Sequence, residues 1–260
     1  MSVPAERWEG AGNIYLLIDA EGLRAPLDMD QARTVCAVLG GDGILEVRRN
    51  DGADVSMRIW NPDGTQSEAC GNGTRMVARW LAEQTEQEHV TISTVAGLLE
   101  CEVDGEMVAA RMAQTRLDGP QYVPNDEAFP YEHTFVSVGN PHVVIPVDDI
   151  NAFPLDEVGP ELEHHPWFPE RANVEIVEHI DEHHIRMRVW ERGVGETRAC
   201  GTGACAVAVA GVANGTATSP VTVQLPGGEL MIDVGDDGYV TMHGPARRIE
   251  SLLIPASYLI

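Results

Sequence analysis

Apolar and polar positions alternate along much of the chain, and the period of that alternation changes only a few times. Ile14 to Asp19, Ile44 to Arg48 and Val55 to Trp60 read as strands. Between the first two, Asp28 to Leu39 has apolar residues at helical spacing. Gly40-Gly41-Asp42-Gly43 and Asn61-Pro62-Asp63-Gly64 are turn signals that punctuate these runs. A helix is expected from about Gly73 to Gln84, then strands at Val90 to Ser93, Gly97 to Val103 and Met107 to Met112. Leu117 to Pro130, rich in proline and polar residues, reads as a linker between halves.

The second half repeats the order. Strands are expected at Phe135 to Val138 and Val143 to Val147, then an acidic surface loop with a short helix over residues 148–170. Val174 to Ile180 and Ile185 to Trp190 flank a hairpin signal, Asp181-Glu182-His183-His184. A helix to about Ala213 precedes strands at Val221 to Leu225, Glu229 to Val234 and Tyr239 to His243. Each half is therefore an α/β (α+β) arrangement of strands around one helix, an internal repeat of architecture.

The repeat is sharpest where each of those helices begins. Ala69-Cys70-Gly71-Asn72-Gly73-Thr74 and Ala199-Cys200-Gly201-Thr202-Gly203-Ala204 share the form Ala-Cys-Gly-x-Gly. One such tract alone reads as a loop with a buried cysteine. Two, in equivalent halves, suggest a site between the halves with one sulfur on each face. That arrangement removes a proton from one side of a carbon and returns it from the other. Helix amides pointed at a thiol lower its pKa from roughly 8.5. Converging helix N-termini also suit a carboxylate and the enolate-like charge beside it.

Composition removes several rival chemistries. All 17 residues counted as Lys+Arg are Arg. Without lysine there is no pyridoxal Schiff base and no P-loop of the Gly-Lys-Ser/Thr type, and no cofactor is expected. A net charge of −24 argues against nucleic acid and anionic membrane surfaces. It fits a solvated acidic surface suited to concentrated salt. No secretory leader is expected from Met1 to Gly12, and Ala204 to Ala213 is too short to span a bilayer. Five cysteines, an odd and sparse set, fit the reducing cytoplasm. Cys36, Cys101 and Cys205 read as small buried hydrophobes. A redox disulfide between Cys70 and Cys200 is the rival function. His179, His183 and His184 read as a solvated turn and not as a metal site. Asn13, Asn61, Asn140 and Asn173, each at a loop–strand boundary, could join Glu191 and Arg192 in clamping an amino-acid head group.

These stretches together resemble the diaminopimelate epimerase family. The matching blocks are Gly12-Asn13, Gly41-Asp42-Gly43, Asn61-Pro62-Asp63-Gly64, Glu68 to Arg75, Gly139-Asn140-Pro141-His142, Arg171 to Val174, Glu191 to Thr197 through Cys200 to Cys205, and His243-Gly244-Pro245-Ala246. The resemblance implies two similar domains, residues 1–118 with about 247–260 and residues 130–246, the final strand returning to the first and the site in the cleft. It implies cofactor-independent interconversion of LL- and meso-diaminopimelate in lysine biosynthesis. By position Cys70 and Cys200 would be the acid/base pair, supported by His142 and Glu191. Amides of Gly71-Asn72 and Gly201-Thr202 would hold the reacting carboxylate. Asn61, Asn140, Asn173, Glu191 and Arg192 would read the distal centre, with Asn13 near the reacting ammonium. The expected partner is a small amino-acid substrate; a homodimer is left open. A histidine- or proline-type racemase of the same fold is the alternative. The chain departs from the family where Gly12-Asn13-Ile14-Tyr15 replaces the usual Gly-Asn-Asp-Phe, and where Gly43 replaces the Gln of some members.

Overall fold

The computed structural model describes residues 2–50, 52–67, 70–119 and 129–259. In chain order the elements are β1 (Ser2–Gly10), β2 (Asn13–Asp19), α1 (Met29–Leu39), β3 (Gly43–Asn50), β4 (Ala53–Trp60), β5 (Gln66–Ser67), α2 (Gly71–Thr85), β6 (His89–Thr94), β7 (Gly97–Asp104) and β8 (Met107–Arg111). They continue with β9 (Thr134–Ser137), β10 (Pro141–Pro146), α3 (Leu155–Glu163), β11 (Asn173–Asp181), β12 (His184–Glu191), β13 (Gly195–Thr197), α4 (Gly201–Ala213), β14 (Val221–Leu225), β15 (Gly228–Val234), β16 (Val240–Pro245) and β17 (Arg247–Pro255). Two compact units result: Met1–Arg111 with His243–Ile260, and Met112–Met242.

In the first unit β1 lies antiparallel to both β2 and β17. β2 runs parallel to β3, β3 antiparallel to β4, β4 parallel to β6, and β6 antiparallel to β7. In the second, β10 runs parallel to β11, β11 antiparallel to β12, β12 parallel to β14, and β14 antiparallel to β15. The two pairing orders are the same. The strands wrap α2 in one unit and α4 in the other. Enclosure on all sides explains the composition of α4. Gly201 to Gly211 are all buried, so the helix is apolar all round, and alanine and glycine keep it slim enough for its jacket of strands. α1 lies outside this arrangement and starts at a capping box, with Asp28 Oδ1 accepting from Gln31 N at 2.9 Å and Gln31 Oε1 from Asp28 N at 3.1 Å.

Several expectations need correcting. Residues 148–170 hold the expected short helix, α3, but they are not a surface loop. Ile150, Leu155, Leu162 and Phe168 join Phe129, Val143 and Ile176 in one core, while Asp156, Glu157 and Glu161 face outward. The acidic face of α3 hid its apolar one. β1 went unread because charges at Glu6, Arg7 and Glu9 and a bulge between Arg7 and Trp8 break its alternation. In this structure the units part at Arg111 and Met242. Met112, Thr115 and Arg116 donate backbone hydrogen bonds to Val240, Gly238 and Ser137, which ties them to the second unit. Most of the expected linker, residues 120–128, lies outside the described residues, as do Glu68 and Ala69 of the first cysteine tract.

Candidate active site

In each unit the central helix is capped by a thiol. Cys70 and Cys200 hold extended backbone at the N-cap of α2 and α4. Gly73 N donates to Cys70 Sγ at 3.2 Å, and Gly203 N to Cys200 Sγ at 3.4 Å. Sulfur is a weak acceptor beside the oxygen of Ser, Thr or Asp, so this cap is a poor choice for stability and a good one for presenting a thiol. The glycines make it fit. A Cβ at Gly73 would stand 3.3 Å from Cys70 Sγ and 2.7 Å from Leu45 Cδ2. A Cβ at Gly203 would stand 3.3 Å from Cys200 Sγ and 2.8 Å from Glu175 Oε1. Gly71, Asn72, Gly201 and Thr202 form the first turns, where backbone N–H groups have no intrahelical acceptor.

The second unit gathers its predicted residues into one network. β10 and β11 place His142 beside Asn173 in register. His142, fully buried, has Nδ1 2.7 Å from Glu175 Oε1 and Nε2 3.0 Å from Asn140 Oδ1. Asn173 donates to Pro141 O and accepts from Arg192 N, both at 3.0 Å. Arg192 Nη1 donates to Glu170 O at 3.1 Å. Glu191, at the end of β12, accepts a short hydrogen bond from Thr197, and the Cys200 thiol helps to offset the burial of its carboxyl. Thr202 Oγ1 lies 3.5 Å from Cys200 Sγ. Burial, then the carboxylates of Glu191 and Glu175, push the Cys200 thiol well above its ordinary value; Thr202 and the Gly203 amide pull it back only in part. This corrects the expectation that helix amides alone would acidify it. Glu191 is itself pushed up, by burial first.

The first unit places Cys70, partly buried, with its thiol donating to the Tyr15 hydroxyl at 3.4 Å. Asn72 Nδ2 donates to Asn13 Oδ1 at 2.5 Å, and Asn13 Nδ2 to Asp42 Oδ2 at 3.3 Å. The fully buried Arg75 donates to Asn72 Oδ1 at 2.6 Å and to Gly71 O and Pro245 O. Asn61 turns its side chain to Thr65 Oγ1 at 3.0 Å, within its own turn.

Strand register makes the correspondence between units exact to the residue. Tyr15 pairs with Gly43 as His142 pairs with Asn173. Ile44 pairs with Trp60 as Val174 pairs with Trp190. Hence Asn13 matches Asn140, Tyr15 matches His142, Leu45 matches Glu175, and Asn61 matches Glu191. Sequence reading passed over Glu175, Tyr15 and Glu163. Glu175 sits in an apolar strand and reads as an outward residue, yet it is fully buried, and its Oε2 has no hydrogen-bond partner among the described residues. Glu163, 4% exposed, accepts from Gly193 N, Trp190 Nε1 and Arg171 Nη1, and so fixes the turn that carries Arg192. The shared Gly-Asn-x-aromatic pattern of residues 12–15 and 139–142 was the signal that could have found Tyr15.

Of the three histidines grouped in the sequence, His179 lies in β11, His183 in the turn that follows and His184 at the start of β12. His183 Nδ1 faces Thr218 O and Pro220 O, and His184 Nδ1 faces Asp181. Among the described residues no cluster of His, Cys, Asp and Glu is arranged to hold a metal, and no helix is long and apolar enough to cross a membrane.

The family described as Diaminopimelate epimerase matches residues 8–117 and 134–249. The diaminopimelate epimerase of Leptospira biflexa is 39% identical, over 96% of this chain and 98% of that one. That of Rhodospirillum centenum is 40% identical, over 96% and 94%. Among solved structures, a hydroxyproline epimerase from Agrobacterium vitis with bound trans-4-hydroxy-L-proline superposes with a TM-score of 0.74 at 16% identity, over 97% of this chain and 91% of that one. At that identity the likeness is one of fold.

Proposed function

The chain belongs to the diaminopimelate epimerase family, and on that premise we propose how its residues carry the reaction. It is an isomerase that epimerises LL-2,6-diaminopimelate to the meso form, in lysine biosynthesis. The thiols of Cys70 and Cys200 serve one α-carbon from opposite faces. One begins the turnover as thiolate and takes the α-proton; the other begins as thiol and gives its proton to the far side. The observation that carries this reading is the pair of cysteine-capped helices built on one strand order. A thiol at a helix start is placed to act, and the free amides beside it suit the carboxylate whose neighbouring carbon gains charge.

The second head of the substrate explains the rest of the set. Asn140, Asn173, Glu191 and Arg192, with Asn61, offer amide, carboxylate and guanidinium groups to a distal ammonium and carboxylate. Asn13 takes the ammonium at the reacting centre. Thiol–thiolate proton transfer needs no cofactor. All five cysteines are free, a state that the reducing cytoplasm preserves, and the surface charge of −24 suits a salt-rich solvent.

The test is incubation in D2O with LL-diaminopimelate, proline, hydroxyproline and histidine, with α-deuterium uptake followed by NMR and no cofactor added. Exchange with diaminopimelate alone is expected. Exchange with proline or histidine instead would move the chain to another substrate, and exchange only after a cofactor is added would end the two-thiol mechanism.

A further inference from the structure

The Cys70 sulfur has a polar neighbour, Tyr15, that the proposed reaction does not use. Its hydroxyl lies 3.4 Å from Cys70 Sγ, and the residue is 8% exposed. Two independent features show that it is built into place. Its register partner is Gly43, where a Cβ would stand 2.9 Å from Tyr15 Cε1 and 2.3 Å from Trp60 O. The ring therefore occupies space that any other residue at 43 would take. Second, Tyr15 holds in the first unit the position that His142 holds in the second, the fourth residue of a Gly-Asn-x-aromatic stretch beside a cysteine-capped helix.

We infer that Tyr15 is a positioning residue for Cys70, a neutral counterpart of His142, whose hydroxyl accepts from the thiol and turns to donate to the thiolate. The step balances without moving a proton from the phenol. In one direction the substrate α-proton passes to the Cys70 thiolate, forming S–H, and the Tyr15 O–H swings from donor to acceptor. In the other direction the S–H bond breaks toward the α-carbon and the O–H swings back. A hydrogen bond to a charged group outweighs one to a neutral group, so the hydroxyl favours the reactive form and holds its sulfur in line. Gly43 and Tyr15 act as a pair, since the ring can reach the sulfur only while position 43 has no side chain.

This rests on the two-thiol reading, and the experiment separates the two. Tyr15→Phe keeps the ring in its seat and removes only the oxygen. It is expected to lower kcat about fivefold to tenfold with KM within about twofold. It should slow the alkylation of Cys70 by iodoacetamide at neutral pH by a similar factor. Peptide mass spectrometry reads the Cys70 and Cys200 peptides in one digest, and the Cys200 rate is expected to stay unchanged. Unchanged kcat and unchanged Cys70 alkylation overturn the inference. So does a rise in KM alone, or an equal change in both peptides, which would mark a global change in the fold. Cys70→Ala run in parallel reports on the reading beneath. If it is inactive while Tyr15→Phe is normal, the inference fails alone. If it keeps full turnover, the two-thiol mechanism fails as well.

Discussion

The two cysteine-capped helices share a backbone device and differ in what surrounds it. Around Cys200 stand Glu175, Glu191 and His142, all ionisable. Their counterparts in the first unit are Leu45, Asn61 and Tyr15, two of them uncharged at any pH and the third a phenol. The two units share the geometry and differ in the electrostatics. The proposed two-thiol reaction starts with one sulfur protonated and the other not, and these surroundings bias the two sulfurs differently. Burial and the neighbouring carboxylates raise the Cys200 thiol above its ordinary value.

Removing the thiols one at a time is the severest test of this comparison. Cys70→Ala and Cys200→Ala should each lower the epimerisation rate by at least about 10³-fold, the usual scale for losing a proton carrier, with the fold retained by circular dichroism. Near-normal turnover in either would show that the two helices are not functional equals. Next in size is Glu175→Ala. It breaks a fully buried pair with His142 and should cost about 3–5 kcal/mol, a drop in Tm on the order of 10 °C. A loss below about 1 kcal/mol would mean that Glu175 does no more than its counterpart Leu45. The smallest effect is expected from Glu191→Gln, which gives the second unit an amide where the first has Asn61. The Glu191 carboxyl is pushed up in the fold, so its contribution to stability is fully present below the ordinary carboxylate range and is lost as pH rises through the folded value. The neutral variant escapes that loss. Its Tm should exceed that of the parent slightly at pH 7.5 and match it near pH 4, and Cys200 should alkylate faster at fixed pH. A Tm difference that does not vary with pH would refute the electrostatic account.

How much of this was legible depended on whether the signal was local. Cys70 and Cys200 announce themselves because glycines must flank a thiol that caps a helix, and that need is written in adjacent letters. The central strands were readable from their alternation. Glu175 was not, because its meaning lies in a neighbour 33 positions away, His142, and in a burial that a glutamate does not advertise. Glu163 was hidden in the same way, its three donors lying on another strand and turn. The acidification of Cys200 was misjudged because helix amides are visible in sequence and packed carboxylates are not. β1 escaped because its apolar residues are interrupted by charges that satisfy one another across strands, as Arg7 does with Glu250.

The pairing of β1 with β17 has a consequence for how the protein is made. β17 follows the whole of the second unit in the chain, yet its register runs from Ser2 opposite Pro255 to Glu9 opposite Arg247. On the ribosome the first unit therefore emerges early and finishes late. At ordinary translation rates β1 waits on the order of ten seconds or more for its partner, with an edge exposed to any strand that passes. The second unit has all its strands before then. Synthesis thus inverts the usual order, and the half that begins first is the half completed last.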